Sequence, residues 1–306
     1  MAGDAPHSTS HILQSLVTNA VIAAMKSTAA FFTGSGAMLA EAIHSFADCG
    51  NQLLLLRGVK EARRPADAKH PLGYGRNVYF WSFMVALLLF TGGGVFSIYE
   101  GVHKLGEPPH VLEHVGWALG ILAFSLALET WATIGNVKEL HRRRGGTPFF
   151  QFLRDTKDSD LVVIFGENAA AVLGLLIALV AIGYATLTGD SRADALGSLL
   201  VGLVLVAVAV FLAVEVKSLL IGESADPGIV QAAHELARRG PHILEVRECI
   251  TMQQGPGEVV VALKIRCAPD LPAAALSQAI NDFERAMRAR CPEAKYLFVE
   301  PDLEGD

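Results

Sequence analysis

The sequence is poor in charge and in cysteine. Charged residues make up only 18% of its 306 residues, against about 25% in soluble domains. The net charge of −6 argues against a basic nucleic-acid-binding protein, so we expect no nucleic acid as a partner. The four cysteines form no C-x-x-C pair and predict neither a disulfide framework nor a zinc knuckle. The polar residues 1–10 lack a basic region and a cleavage pattern, so we expect no cleaved signal peptide.

Long apolar runs dominate the chain instead. Hydrophobic residues account for 52% of it, and the mean hydropathy is +0.39. Each run reaches the roughly 20 residues that a helix needs to cross a bilayer. The six runs cover about 12–33, 37–58, 77–101, 112–137, 160–186 and 194–221. The sequence therefore predicts a polytopic α-helical membrane protein, with a six-helix transmembrane domain over residues 1–221 and a separate domain over 222–306.

The loop charges predict the orientation of these helices. The loops after the second and fourth runs are rich in Lys and Arg, whereas the other three loops show no such excess. Excess Lys and Arg marks the cytoplasmic side. We therefore expect a multi-pass protein of the inner (plasma) membrane, with both termini in the cytoplasm.

The C-terminal segment has the periodicity of a small soluble domain. Two amphipathic helices and three short strands follow one another in the order α-β-β-α-β, and the cluster 254–257 forms the turn between the first two strands. This order is typical of a ferredoxin-like α+β sandwich. The predicted elements are Pro227–Arg239, Val246–Met252, Val259–Ile265, Ala273–Arg290 and Lys295–Glu300.

One polar stripe lies inside the second apolar run. His44 and Asp48 are four residues apart and share one face of a helix, and Glu41 and Asn51 extend the same stripe. An Asp at the centre of a membrane helix costs roughly 2.5–3.5 kcal/mol unless it meets a partner, water or an ion. An imidazole and a carboxylate one turn apart supply half of a tetrahedral metal site. A helix pair packed through a His–Asp hydrogen bond stays open as the alternative.

The fifth run carries a second polar pair. Glu167 and Asn168 are flanked by small residues that allow close approach of another helix, and facing His44 and Asp48 they would complete a four-ligand metal site. Alternatively, Glu167 pairs with Lys26 or with a neighbouring helix. Lys26 itself either points into the bundle or extends to a lipid headgroup.

Three motifs together resemble the cation diffusion facilitator family. Residues 34–48 are similar to the family's second-helix signature, and 194–198 to the start of its last helix. The loop 65–76 resembles the motif P-x-D-x-x-H-x-x-G-H-G-R, with Tyr74 in place of its second histidine. This departure weakens a second metal site at Asp67 and His70.

The resemblance implies a homodimeric exporter that exchanges a divalent cation, most often zinc, for protons. The family's intramembrane motif H/D-x-x-x-D on the second helix falls on His44 and Asp48. On the fifth helix its positions fall on Ile164 and Asn168, and Glu167 next to Asn168 can supply the missing negative charge. The implied metal ligands are therefore His44, Asp48, Glu167 and Asn168, and the lipid bilayer and a second copy of the chain are the implied partners.

The resulting hypothesis is a proton-coupled transporter whose substrate is zinc, with manganese, cobalt or iron as alternatives. Zinc favours histidine with carboxylates, whereas manganese prefers more oxygen ligands. An intramembrane zinc hydrolase is the second hypothesis, but the sequence holds no H-E-x-x-H motif, so we predict that the protein is not an enzyme. The third is a membrane scaffold or regulator in which the polar residues only fix helix packing.

Overall fold

The computed structural model describes residues 5–108 and 114–302, without the side chains of residues 5–15, 18 and 160. Most of the described chain up to residue 221 is helical. The elements are α1 Ala5–Thr33, α2 Gly36–Ala62, α3 Asn77–Leu88, a π-helix Leu89–Val95, α4 Phe96–Leu105, α5 Val115–Arg143, α6 Phe149–Asp155, α7 Ser159–Thr188 and α8 Arg192–Ile221.

Each predicted apolar run coincides with a long helix or helical stretch, except that residues 112–113 at the start of the fourth run lie outside the described residues. Among the described residues, four helical stretches are long and apolar enough to cross a membrane: Asn77–Leu105, Val115–Arg143, Leu161–Thr188 and Arg192–Ile221. Helices α1 and α2 have 29 and 27 residues, which is sufficient length. In α2 the polar stripe and basic end lower the hydropathy. Six spans therefore stay a prediction.

The third apolar run is not one regular α-helix. Its middle, Leu89–Val95, is π-helical and contains three consecutive glycines. A Cβ on Gly94 would meet the Val206 side chain, and one on Gly202 would meet the Ile98 backbone nitrogen at 2.7 Å. The glycines therefore allow this stretch and α8 to approach backbone to backbone. The sequence also predicts no helix between the fourth and fifth runs, where the structure has the short α6.

The chain divides into two compact units. The first contains the residues up to Val59 together with Phe80–Lys217, and the second contains Lys60–Tyr79 together with the residues from Ser218 onward. The predicted division into domains 1–221 and 222–306 stays a prediction. The loop 60–79 belongs to the second unit, where it hydrogen-bonds to the strands. The carbonyl oxygen of Leu72 accepts hydrogen bonds from the Tyr296 hydroxyl at 2.9 Å and from Gln254 Nε2 at 3.4 Å.

The C-terminal part of the second unit has the predicted order of helices and strands. Its three strands form one sheet in the order β1-β2-β3, with β1 antiparallel and β3 parallel to β2. Both helices have the predicted bounds, whereas β1 and β2 extend further than the sequence predicts. The elements are α9 Pro227–Arg239, β1 Ile243–Gly255, β2 Glu258–Cys267, α10 Ala273–Arg290 and β3 Tyr296–Asp302.

Local chemistry explains the ends of these elements. Pro227 begins α9, and the Asp226 carboxylate caps it by accepting a hydrogen bond from Gly228 N at 2.7 Å. Pro256 and Gly257, with φ +69° at the glycine, form the β1–β2 turn. The apolar faces of α9 and α10 and alternate residues of the strands share one core, which includes Ile229, Ala233, Val261, Ile265, Phe283 and Met287.

Candidate metal centre

The polar stripe of α2 is buried along its whole length. Glu41, His44 and Asn51 have no exposed surface, and Asp48 is 9% exposed. The helix brings these residues to one face because their spacings of three and four residues match its period. Four polar side chains in so buried a position need partners, since an unsatisfied buried polar group costs about 1–3 kcal/mol.

The central pair of the stripe has spare donor atoms. His44 Nδ1 lies 3.7 Å from Asp48 Oδ1, which is too long for a hydrogen bond. Within the described part of the chain, neither ring nitrogen of His44 has a hydrogen-bond partner, and Asp48 Oδ1 has none either. The pair therefore does not form the His–Asp hydrogen bond that the packing alternative requires. Nitrogen and oxygen lone pairs, buried side by side, are the donors that a divalent cation such as zinc accepts.

Helix α7 contacts both ends of the stripe. Near one end, Glu167 Oε1 accepts a hydrogen bond from Asn51 Nδ2 at 2.5 Å. At the other end, a Cβ on Gly174 would overlap with Glu41 Oε1. Because the residue numbers fall on α7 as they rise on α2, the two helices run antiparallel there. The small side chains of α7 between these contacts, Ala170 and Ala171, are buried and permit this close approach.

The four predicted ligands are only partly brought together. His44 and Asp48 are adjacent, whereas Glu167 is bound to Asn51, one turn beyond Asp48. Asn168 is half-buried next to Glu167. In the described ranges, no group of three or more His, Cys, Asp or Glu side chains is close enough to hold a metal ion. The complete ligand set therefore stays a prediction.

Lys26 points into the bundle and not to a lipid headgroup. Its ammonium group donates hydrogen bonds to Glu41 Oε2 at 3.0 Å and to Ser45 Oγ at 2.9 Å, and its side chain is only 1% exposed. The alternative pairing of Lys26 with Glu167 is not observed. The sequence left the direction of Lys26 open, and only the structure identifies its partner.

The N-terminus of α2 is capped from a distant part of the chain. Asp194, at the start of α8, is buried, and its carboxylate accepts hydrogen bonds from Ser35 Oγ at 2.5 Å, Gly36 N at 2.6 Å and Ala37 N at 3.3 Å. A carboxylate at a helix N-terminus satisfies free amides and complements the helix dipole. Sequence reasoning noted Asp194 only as part of a motif and missed this role, which fixes the helix that carries His44 and Asp48.

The loop between α2 and α3 uses its polar residues for its own turn. Asp67 Oδ1 accepts hydrogen bonds from the backbone amides of Lys69 and His70, and Oδ2 accepts one from the Tyr74 hydroxyl at 2.7 Å. The Tyr74 hydrogen bond, followed by that of the His70 amide, lowers the pKa of Asp67 below its usual range. Both carboxylate oxygens of Asp67 thus accept hydrogen bonds from within the loop. Tyr74 stands where the motif has its second histidine, and its hydroxyl stabilises the turn through one of these hydrogen bonds.

Comparison with known proteins identifies the family. The family model described as the cation efflux transmembrane domain matches residues 12–221. The chain belongs to the cation efflux family. The transmembrane part is therefore a multi-pass membrane domain, and a small α/β domain with a three-stranded sheet follows it.

Several curated proteins are similar to this cation efflux family member. The human proton-coupled zinc antiporter SLC30A9, mitochondrial, is 34% identical over 250 residues, which cover 81% of this chain and 44% of the human protein. Metal tolerance protein C4 of Arabidopsis thaliana is 29% identical over 82% of this chain and 55% of its own length. Magnetosome protein MamB of Paramagnetospirillum magneticum is 25% identical over 90% of this chain and 88% of its own length. The chain thus spans less than half the length of the human zinc antiporter.

Proposed function

We propose that this protein exports a divalent metal cation, with zinc as the first candidate, in exchange for protons. The observation that carries the proposal is the pair His44 and Asp48, which is buried in a helix of the family's transmembrane domain and holds donor atoms without hydrogen-bond partners in the described part of the chain. The name of the human relative, a proton-coupled zinc antiporter, agrees with this substrate and this coupling.

The chemistry of the two residues gives a way to exchange protons for metal. A cation entering the membrane must replace its water with ligands, and its two positive charges require nearby carboxylates. Asp48 supplies one carboxylate and Glu167 can supply the second after release from Asn51. Imidazole titrates near neutral pH and binds metal only when its nitrogen is deprotonated, so His44 is the natural group to lose a proton as the metal enters.

The rival hypotheses explain the buried pair less well. A scaffold in which the pair fixes helix packing leaves His44 without the hydrogen bond that such a role requires. A zinc hydrolase is disfavoured by the comparisons, because the matching family model is a cation efflux domain and the human relative is named a proton-coupled zinc antiporter. Manganese, cobalt and iron stay as alternative substrates because carboxylate and amide oxygens suit manganese as well.

We further propose six membrane spans, both termini in the cytoplasm, a ferredoxin-like C-terminal domain and a homodimer. The alternating loop charges support the orientation in an inner (plasma) membrane.

For the dimer, the exposed side chains Ile250 and Phe298 lie on either side of Ala262 in the sheet and give an apolar face that a second copy can cover. Full-length Phe298→Glu protein should then sediment as a monomer in detergent, whereas the wild type sediments as a dimer.

Metal flux in sealed inverted vesicles tests the function itself. With a pH gradient imposed, we expect zinc uptake that collapses when a protonophore removes the gradient. Uptake of manganese, cobalt and iron in parallel ranks the substrates. Glu167→Ala and Asn168→Ala then identify the ligand on α7, because the residue that binds the metal should lose most of the flux on truncation. Uptake no faster than that of empty vesicles for every metal would refute the proposal.

A further inference from the structure

A buried lysine lies next to the candidate metal site and plays no part in the proposed exchange. Lys26 extends from α1 to α2, where its ammonium group contacts Glu41 and Ser45. Its side chain is 1% exposed and that of Glu41 is not exposed. Lysine inside a membrane helix is costly and is usually retained for function. The burial of this lysine therefore needs an explanation beyond helix packing.

Glu41 would itself be a cation ligand without this lysine. It lies three residues before His44 on the same buried face of α2. Its Oε2 binds Lys26, whereas its Oε1 has no hydrogen-bond partner within the described residues and packs against Gly174. A buried carboxylate with a free oxygen, close to the path of a divalent cation, attracts that cation strongly unless another charge neutralises it.

We propose that Lys26 is a tethered counter-cation, whose ammonium group occupies Glu41 and thereby confines the transported divalent cation to His44 and Asp48. The inference rests on the proposed function and adds a specificity-determining residue to it. The Glu41 carboxylate and Ser45 hydroxyl form a second cation-binding position beside the metal site, and the protein fills that position with its own side chain. The bundle then accepts one divalent cation per protomer.

The charge role and a packing role predict different results for single substitutions. If the pair only joins α1 to α2, Lys26→Met and Glu41→Gln both weaken the fold and neither changes how many metal ions bind. If Lys26 is a counter-cation, the two substitutions act in opposite directions. Lys26→Met leaves Glu41 free to bind a second cation, whereas Glu41→Gln removes the carboxylate that Lys26 contacts, so that its positive charge repels the metal from the neighbouring site.

Zinc binding to the purified full-length protein in detergent tests the inference, with zinc as the only added metal. We expect Lys26→Met to bind one more zinc ion per protomer than the wild type, as measured by equilibrium dialysis. Glu41→Gln should bind the same number as the wild type with at least about tenfold weaker affinity, by the like-charge repulsion of Lys26 in a protein interior. The double variant should regain the wild-type number and an affinity within about threefold. Lys217→Met, an exposed lysine of α8, is the matched control and should change neither quantity.

The outcomes separate this inference from the function on which it rests. If the wild type binds zinc but Lys26→Met gains no zinc ion, or Glu41→Gln binds as tightly as the wild type, the counter-cation role is refuted and the proposed function stands. If Lys26→Met aggregates, Glu41→Gln and the double variant still decide the matter through their affinities. If both single variants aggregate and the double variant does not, the pair is a packing element and the inference falls. If the wild type binds no zinc and transports no metal, the proposed function fails first.

Discussion

Removing the carboxylate of Asp194 should destabilise the transmembrane unit through the start of α2. The backbone amides of Gly36 and Ala37 donate to this carboxylate in a buried setting, and in Asp194→Ala both amides lose their acceptor. Loss of a helix cap costs about 0.5–2 kcal/mol, and each buried donor left unsatisfied costs about 1–3 kcal/mol. The cap and the two unsatisfied amides describe the same loss, so at about 1–2 kcal/mol for each amide we expect Asp194→Ala to lower the free energy of unfolding by about 2–4 kcal/mol.

The assay is a denaturant titration of the full-length protein in mixed micelles, followed by circular dichroism. Asp194→Asn keeps one acceptor oxygen and should lose about half as much stability as the alanine variant. The matched control is Asp190→Ala, because Asp190 is an exposed residue near the same helix end, where its Oδ1 accepts a hydrogen bond from Arg192 N at 3.0 Å. We expect this control to lose less than about 1 kcal/mol. An Asp194→Ala protein as stable as the control would show that the distant cap does not hold α2.

Three further predictions concern the site and its surroundings. His44→Asp should keep metal transport but shift selectivity in vesicle uptake from zinc towards manganese or cadmium, because an oxygen donor replaces the imidazole; unchanged selectivity would place His44 outside the metal path. Gly174→Ala should reduce zinc uptake, because its Cβ would overlap with the buried glutamate of α2, whereas Gly183→Ala on the same helix has open space and should transport normally. Tyr74→Phe should raise the pKa of Asp67 towards its usual value, so that Asp67 becomes protonated at a higher pH than in the wild type. When the pH is lowered stepwise, proteolysis of the loop should therefore accelerate at a higher pH in the variant. Identical pH profiles would contradict the assigned hydrogen bond.

The parts of the fold that the sequence predicts are those with a strong local signal. Long apolar runs correspond to long helices because membrane helices satisfy their backbone hydrogen bonds within the segment. The helices Pro227–Arg239 and Ala273–Arg290 have the predicted bounds because apolar residues recur at the helical period between clear start and stop signals. The π-helical turn at Leu89–Val95 has no comparable signal, since consecutive glycines are compatible with several helical geometries.

The parts that the sequence does not predict depend on contacts between distant residues. The stripe of α2 was evident from spacing alone, but the contact of Asn51 with Glu167 joins residues 116 positions apart. The cap of α2 by Asp194 joins residues 158 positions apart at Gly36. Helical spacing shows which residues share a face but not which helix that face meets. For the same reason the pairing of Lys26 with Glu41 was not foreseen, although both residues were noted.

The most direct test of the central claim is zinc uptake driven by a pH gradient in inverted vesicles that contain either the wild type or Asp48→Ala. The account predicts that the wild type accumulates zinc and that Asp48→Ala, with the same amount of folded protein in the membrane, transports at the rate of empty vesicles. The reason is that Asp48 is the carboxylate beside His44, and without it a divalent cation bound in the low-dielectric interior loses one of its two proposed negative ligands. Full zinc uptake by Asp48→Ala would contradict the account and would show that this face of α2 serves packing alone.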